Sequence, residues 1–219
     1  IQYDAKFINY FKSIKYFNNS KDIVNLEASL NNRFFINFDK TYKVKKYNYK
    51  STGVIVKADL DFKEPLQNYF SGKTINKLTL INSEIKTDFS SQKNTTNILG
   101  KYSLNGGNAL SFNLENTINK DLLKLKLNAD YDKSIKLELI NYEKSEGSIA
   151  NIFINLNKQK NNIILKEVNF TEESNSFFIK NVKFDENKFL SLEKISVKTS
   201  KDGKKNNDFT ISYGKKISI

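Results

Sequence analysis

The chain has 219 residues and a formal net charge of +12, with 36 lysine and arginine residues against 24 acidic ones. It contains no histidine and no cysteine, which excludes histidine general bases, Ser-His-Asp triads, thiol nucleophiles, disulfides and the usual zinc sites. Hydrophobic residues make up 38% of the sequence and the mean hydropathy is −0.56. We therefore expect an extended sheet rather than a thick core.

The positive charge is almost entirely lysine, because Arg33 is the only arginine. Arginine normally supplies the bidentate contacts to bases and phosphates, and lysines spread along strands make a poor focused patch. We therefore expect no nucleic-acid partner and favour a solvated face that is attracted to membranes. No apolar run approaches the roughly 20 residues of a membrane-spanning helix. The chain starts with isoleucine and has no signal-peptide pattern, so we expect a segment of a longer protein whose anchor lies outside it.

Residues 1–22 predict a helical N-terminal element. Phe7, Phe11 and Ile14 fall at helical spacing, and Asp4 is a suitable N-cap. Two roles fit this pattern: covering part of an apolar sheet face, or capping one end of the sheet.

Strand patterns dominate from Ile23 onward. Residues 53–62 alternate over about nine positions at about 3.3 Å each, which predicts a strand of roughly 30 Å. Residues 64–70, with Pro65 as the only proline, predict a short helical turn. We place a sub-boundary of a single 1–219 domain near residues 64–73.

Turn signals order the rest of the chain. Asn82 and Ser83 predict a bend or bulge, and residues 105–108, which read Asn-Gly-Gly-Asn, give the strongest hairpin signal. Later strands recur every 12 to 15 residues, as in an antiparallel meander.

The cleanest alternation lies in residues 123–139. Apolar residues occupy every odd position from Leu123 to Tyr131 and again from Ile135 to Leu139, and three residues separate the two runs. This pattern predicts an antiparallel hairpin with one apolar and one polar face.

The acidic residues do not predict catalysis. Asp59 and Asp61, and likewise Asp130 and Asp132, alternate with lysines opposite the apolar face, and Glu172 lies in a predicted turn. Glycosidase-type chemistry requires two carboxylates in unequal environments across a pocket. We therefore expect solvated carboxylates and no enzymatic activity, cofactor or metal site.

What remains is the predicted apolar face of the cleanest strands. Two interpretations stay open: an inner layer of a closed β-sandwich, or an uncovered face that contacts acyl chains. On the second interpretation every member except Ala129 is a candidate lipid-contacting residue. Its members are Val54, Val56, Ala58, Leu60, Phe62, Leu123, Leu125, Leu127, Ala129, Tyr131, Ile135, Leu137 and Leu139.

Three parts of the sequence carry a resemblance to a known family. Residues 53–62, the strand–turn–strand unit at 123–139, and residues 178–184 leading into 190–195 resemble the AsmA-like superfamily of large bacterial envelope proteins, which are also related to TamB. The resemblance covers about residues 23–199 and is one of pattern. It implies an inner-membrane anchor outside this segment and a long periplasmic β-groove that carries phospholipid towards the outer membrane, with no catalytic residues.

We therefore expect a mainly β protein in which a long antiparallel meander forms a curled, twisted sheet, a groove or half-pipe, with an N-terminal helix. The functional hypothesis is phospholipid transport between the inner and outer membranes. The alternative is a β-sandwich adhesion or protein-interaction module without a ligand.

Overall fold

The computed structural model describes residues 21–67, 73–201 and 203–213, and the side chains of all of these except 21–24. These residues are mainly β, as predicted, and contain one short 3-10 helix, Glu138–Ile140, and no α-helix. The strands are β1 Lys21–Phe38, β2 Val44–Gln67, β3 Thr74–Ser90, β4 Lys93–Leu104, β5 Leu110–Asn119, β6 Leu122–Tyr131, β7 Ile135–Leu137, β8 Tyr142–Lys144, β9 Ala150–Gln159, β10 Asn162–Glu172, β11 Asn175–Asp185, β12 Lys188–Ser191, β13 Lys194–Lys201 and β14 Lys204–Ser212.

Twelve of these strands form one antiparallel sheet that is not closed, in the order β1-β2-β3-β4-β5-β6-β9-β10-β11-β13-β14, with β12 paired to β11. The predicted meander is therefore confirmed for most of the chain, because sequence neighbours are usually sheet neighbours. The predicted N-terminal helix lies outside the described residues, apart from Lys21 and Asp22, which belong to β1. The chain divides into two compact units, Ile1–Asn113 and Leu114–Ile219.

The first unit contains the longest strand, β2, with 24 residues. The predicted helical turn at residues 64–70 is wrong for residues 64–67, because β2 continues to Gln67. Pro65 is tolerated there since the β2–β3 register is irregular between Asp61 and Leu66. A proline cannot donate to a regular ladder, so it is found where pairing is interrupted.

A β-bulge changes which side chains of β2 are buried. Ala28 pairs with Ile55 and Glu27 pairs with Lys57, so Val56 is an extra residue. Ile55 is 8% exposed and packs with Ala28 and Ala58, whereas Val54 and Val56 are both 38% exposed. The prediction that Val54 and Val56 share the buried face of Ala58 is therefore wrong, because a bulge shifts the period-2 alternation by one residue.

The predicted bulge at Asn82 and Ser83 is confirmed. Ile81 pairs with Lys101 and Glu84 with Leu99, so two residues of β3 lie opposite Gly100 of β4. The predicted turn at residues 105–108 is also confirmed, since it connects β4 to β5.

The second unit corrects the predicted hairpin of residues 123–139. Residues 123–131 do form a strand, but β6 pairs with β9 over ten residue pairs, from Leu122↔Gln159 to Tyr131↔Ala150. β7 pairs instead with the three-residue β8. The segment between β6 and β9, residues 132–149, is here called the flap. Alternation predicts the faces of a strand but not its partner, and β9 offers a much longer register than β7 does.

Candidate functional site: the apolar face of the second unit

One row of aliphatic side chains crosses six strands of the second unit. Directly opposite residues in antiparallel strands point to the same face, about 5 Å apart, so the pairings place these side chains in one continuous line. We call it the aliphatic row: Leu127, Ile154, Val168, Ile179, Ile195 and Ile211.

A second row on the same face is richer in aromatic side chains. The same registers align it one step along the strands, and we call it the aromatic row: Ala129, Ile152, Phe170, Phe177, Val197 and Phe209. Together the two rows form an apolar surface that crosses six strands of the unit's sheet, from β6 to β14.

A bulge keeps this face continuous. The β9–β10 register shifts between Leu165 and Glu167, so Lys166 is the extra residue. Leu165 pairs with Leu156, and Val168 pairs with Ile154, although Leu165 and Val168 are three residues apart. Strict alternation along β10 would have placed these two side chains on opposite faces.

The flap covers the middle of the aromatic row, whereas Phe209 at one end of the row is 37% exposed. Ile135 and Tyr142 of the flap are 7% and 3% exposed and form a core with Ala150 and Phe170. The Tyr142 ring centroid lies 4.8 Å from that of Phe177. This part of the face is therefore a dry, packed core.

The aliphatic row is covered much less. Five of its six members are half-buried and Ile211 is 50% exposed. None belongs to the core that the flap forms with the aromatic row. Among the residues with described side chains, this unit thus has a partly exposed aliphatic row beside an aromatic row whose middle is covered by the flap.

A buried carboxylate fixes the flap to the sheet. Glu172 is 7% exposed and accepts hydrogen bonds from the Tyr142 hydroxyl at 2.6 Å, Ser148 Oγ at 2.6 Å and Asn175 Nδ2 at 3.2 Å. Burial by itself raises the pKa of Glu172, but the three hydrogen bonds and the Lys144 charge outweigh it and the net pKa is lowered. The carboxylate is therefore ionised at neutral pH.

A buried lysine connects two parts of the flap by hydrogen bonds. Lys144 is 1% exposed, and its Nζ donates to the carbonyl oxygens of Lys133 at 3.0 Å and Ser145 at 3.1 Å. Burial lowers the pKa of Lys144, and the Glu172 and Asp132 carboxylates partly oppose that effect. These contacts are structural, since they satisfy polar groups that the flap would otherwise bury without partners.

The prediction of solvated carboxylates is wrong at three positions. Asp132 is 3% exposed and Glu172 7%, and Glu172 lies in β10 rather than in a turn. Asp59 is 6% exposed, accepts a hydrogen bond from Thr79 Oγ1 at 2.7 Å and lies 3.3 Å from Lys77 Nζ. Each acid is buried together with donors, which fits a stabilising role.

The predicted lipid-contacting residues are divided between the two units. The five from β2 lie in the first unit, where Ala58 and Phe62 are buried, Leu60 is half-buried, and Val54 and Val56 are exposed. In the second unit the residues from β6 share the apolar face: Leu123, Leu125, Leu127 and Tyr131 are all half-buried.

The three predicted residues of the flap lie differently. Ile135 and Leu137 pack in its core, whereas Leu139 is 98% exposed in the 3-10 helix. The prediction that Leu139 continues the apolar face is therefore wrong.

Sequence reasoning missed the contributions of β9 to β14 to this face. The alternation of Ile152, Ile154 and Leu156 was available as a signal. In β10 the bulge interrupts the alternation, so the residues that form the apolar face are at odd positions before it and at even positions after it.

Within the described ranges, no helix is both long and apolar enough to cross a membrane, and no group of three or more acidic residues is placed to hold a metal ion. No protein-family model, curated protein or solved structure matches this chain.

Proposed function

We propose that this chain is a segment of a bacterial envelope protein whose hydrophobic β-groove carries phospholipid between the inner and outer membranes. Transfer would use a surface rather than catalytic residues. The observation that carries the proposal is the aliphatic row, a continuous and partly exposed apolar strip across six strands.

The length of the row suits an acyl chain. Six strands at a spacing of about 4.8 Å span roughly 24 Å, whereas each leaflet contributes about 15 Å to a hydrocarbon core of about 30 Å. Contacts between apolar side chains and an acyl chain are non-directional, so the lipid could move along the row without breaking specific bonds.

The opposite face of β6 supports a location near membranes. Lys124 and Lys126 alternate with the leucines of this strand and are exposed, and the whole chain carries a net charge of +12. Each lysine close to an anionic lipid surface contributes about 1 kcal/mol of attraction. The curled, groove-like sheet, the relation to the AsmA-like superfamily, the periplasmic location and an inner-membrane anchor outside this chain all belong to the same proposal.

The direct test is mass spectrometry of lipids extracted from the purified chain, together with binding of a fluorescent phospholipid. We expect co-purified phospholipid. Ile154→Asp places a charge in the middle of the aliphatic row and should abolish binding. Leu139→Asp makes a comparable change at a 98% exposed position and should leave binding unchanged.

Folding of the variants is checked by far-UV circular dichroism. Ile211→Asp, at the half-exposed end of the row, gives a milder second variant that should reduce binding without unfolding the sheet. A chain that purifies without lipid, stays fully soluble and binds none would count heavily against the proposal.

The second candidate function is a protein-interaction module without a ligand. Large aromatic side chains are exposed where β1 and β2 meet: Phe34 is 65% exposed, Phe35 61% and Tyr42 88%. Aromatic residues at such levels of exposure are typical of interaction surfaces. This candidate predicts no lipid, and it predicts a partner that is lost when these aromatic residues are replaced.

A further inference from the structure

The β1–β2 hairpin continues past the end of its neighbouring strand. β3 ends at Ser90, which pairs with Asn48 of β2. Residues 36–38 of β1 and 44–47 of β2 continue their own pairing beyond this point, and residues 39–43 connect the two strands. We call residues 33–50 the hairpin tip. From residue 33 to residue 47 every side chain is exposed except that of Ile36, which is half-buried.

One face of the hairpin tip is apolar and largely aromatic. Directly opposite residues of an antiparallel pair share a face, and on this face three successive pairs are apolar on both strands. These pairs are Phe34↔Tyr49, Ile36↔Tyr47 and Phe38↔Val44. A bulge between Asn37 and Phe38 makes Lys45 the extra residue and keeps Val44 on the apolar face.

Most of these apolar side chains are open to solvent. Phe34 is 65% exposed, Phe38 51%, Val44 56% and Tyr47 40%. Tyr42 in the turn is 88% exposed. Large apolar side chains that cluster at such levels of exposure indicate a binding surface rather than a core.

The charge of the hairpin tip is strongly positive. Its only acidic residue, Asp39, accepts hydrogen bonds within the turn from the backbone N–H groups of Thr41 at 2.7 Å and Lys43 at 3.0 Å. Asp88 of β3 lies 3.1 Å from Lys50 Nζ. The cationic residues of the hairpin tip are Arg33, Lys40, Lys43, Lys45, Lys46 and Lys50, and all of them are exposed.

This combination of side chains fits a lipid surface better than a protein surface. Lysine is depleted in protein–protein interfaces. At a membrane–water interface, by contrast, aromatic rings lie at the level of the headgroups and lysines extend their charges to anionic headgroups. The backbone groups of a turn lie outside any ladder, so the turn can enter the headgroup region but not the hydrocarbon core.

We propose that the hairpin tip binds the surface of an anionic phospholipid membrane, with Phe34, Phe38 and Tyr42 in the interface and the lysines on the headgroups. The aromatic side chains supply apolar contact, and each lysine close to the headgroups strengthens binding about fivefold. The membrane contact does not depend on the aliphatic row, which belongs to the other unit.

The first test is co-sedimentation of the whole chain with vesicles of phosphatidylcholine and phosphatidylglycerol. We expect binding that weakens as salt rises and that is much weaker with vesicles of phosphatidylcholine alone. Replacing Lys45 and Lys46 together by glutamine should weaken binding about 25-fold. The matched control replaces Lys204 and Lys205, two adjacent exposed lysines of β14, by glutamine and should leave binding unchanged.

A second measurement locates the contact. The chain contains no tryptophan, so Phe38→Trp adds a single fluorescent residue at a 51% exposed position. Phe189→Trp makes the same change at a 61% exposed position in β12. With the mixed vesicles, we expect blue-shifted emission and quenching by brominated phospholipid for Phe38→Trp but not for Phe189→Trp.

Several outcomes would overturn the proposal. They are binding that needs no anionic lipid, equal losses for the two lysine pairs, and equal or absent emission shifts for the two tryptophan variants. A chain that binds neither kind of vesicle would also overturn it and would favour a protein partner for the exposed aromatic residues. Ile154→Asp should leave vesicle binding unchanged, so failure of the groove and failure of the membrane contact are distinguishable.

Discussion

Replacing Tyr142 with phenylalanine tests whether one buried hydrogen bond holds the flap on the sheet. The Tyr142 hydroxyl donates to Glu172 Oε2 at 2.6 Å, and the two residues are 3% and 7% exposed. A hydrogen bond to a charged group contributes about 1.5–3 kcal/mol. Ser148 and Asn175 still bind the carboxylate in the variant, so we expect a loss near the lower limit, about 1.5 kcal/mol.

Hydrogen–deuterium exchange of residues 132–149 measures this loss where it occurs. A loss of about 1.5 kcal/mol corresponds to roughly tenfold faster exchange through opening of the flap. Tyr42→Phe makes the same chemical change at an 88% exposed tyrosine and should have no effect. Unchanged exchange in the Tyr142→Phe flap, or equal acceleration by the control, would refute the reasoning.

The contact also predicts a pH dependence. Burial raises the pKa of Glu172, but the hydrogen bonds from Ser148, Tyr142 and Asn175 outweigh it, so the folded-state pKa lies below the ordinary value of 4.5. The stabilisation is therefore fully present above about pH 4.5 and is lost as the pH falls through the lowered pKa. The stability difference between wild type and Tyr142→Phe, measured by urea unfolding, should shrink in the same window. A difference that persists in acid would contradict a role for the carboxylate charge.

Two further substitutions test contacts of the first unit by the urea midpoint at constant slope. Gly100→Ala should lower the free energy of unfolding by about 1–3 kcal/mol through overpacking. The added Cβ would lie 2.3 Å from Ser83 Oγ and 2.5 Å from Ser83 Cα. Combining it with Ser83→Ala should not restore stability, since the contact with the Ser83 backbone remains. Asp59→Asn should cost about 1–3 kcal/mol, because the buried carboxylate accepts from Thr79 and pairs with Lys77. Burial raises the Asp59 pKa, but these two partners outweigh it and the net pKa is lowered, so the loss should be largest above pH 3.8 and smaller in acid.

The strands and their turns were largely predictable because they rest on local chemistry. Alternation in residues 123–131 gives the strand one polar and one apolar face, whichever strand it pairs with. The turn that begins at Asn105 was equally clear, since Gly106 adopts a φ of +73° that glycine reaches without strain.

The pairing of β6 was not predictable in this way. The choice between β7 and β9 depends on register length and on the buried contacts of the flap, both of which are non-local. Two of the donors to Glu172, Ser148 and Tyr142, lie 24 and 30 positions away from it in the sequence. The sequence around Glu172 is polar and therefore predicts a solvated carboxylate, because the contacts with Tyr142 and Ser148 form only in the folded chain.

The bulge at Val56 gives the sharpest test of this distinction, because the sequence pattern and the structure predict opposite outcomes. Strict alternation places Val54 in the core and Ile55 in solvent, whereas the structure leaves Ile55 8% exposed and Val54 38% exposed. Ile55→Ala should therefore cost about 2–4 kcal/mol through lost burial and a cavity next to Ala28 and Ala58. Val54→Ala should cost about 0.5 kcal/mol. Urea unfolding of the two variants measures both values, and a larger loss for Val54→Ala would show that β2 keeps strict alternation and contains no bulge.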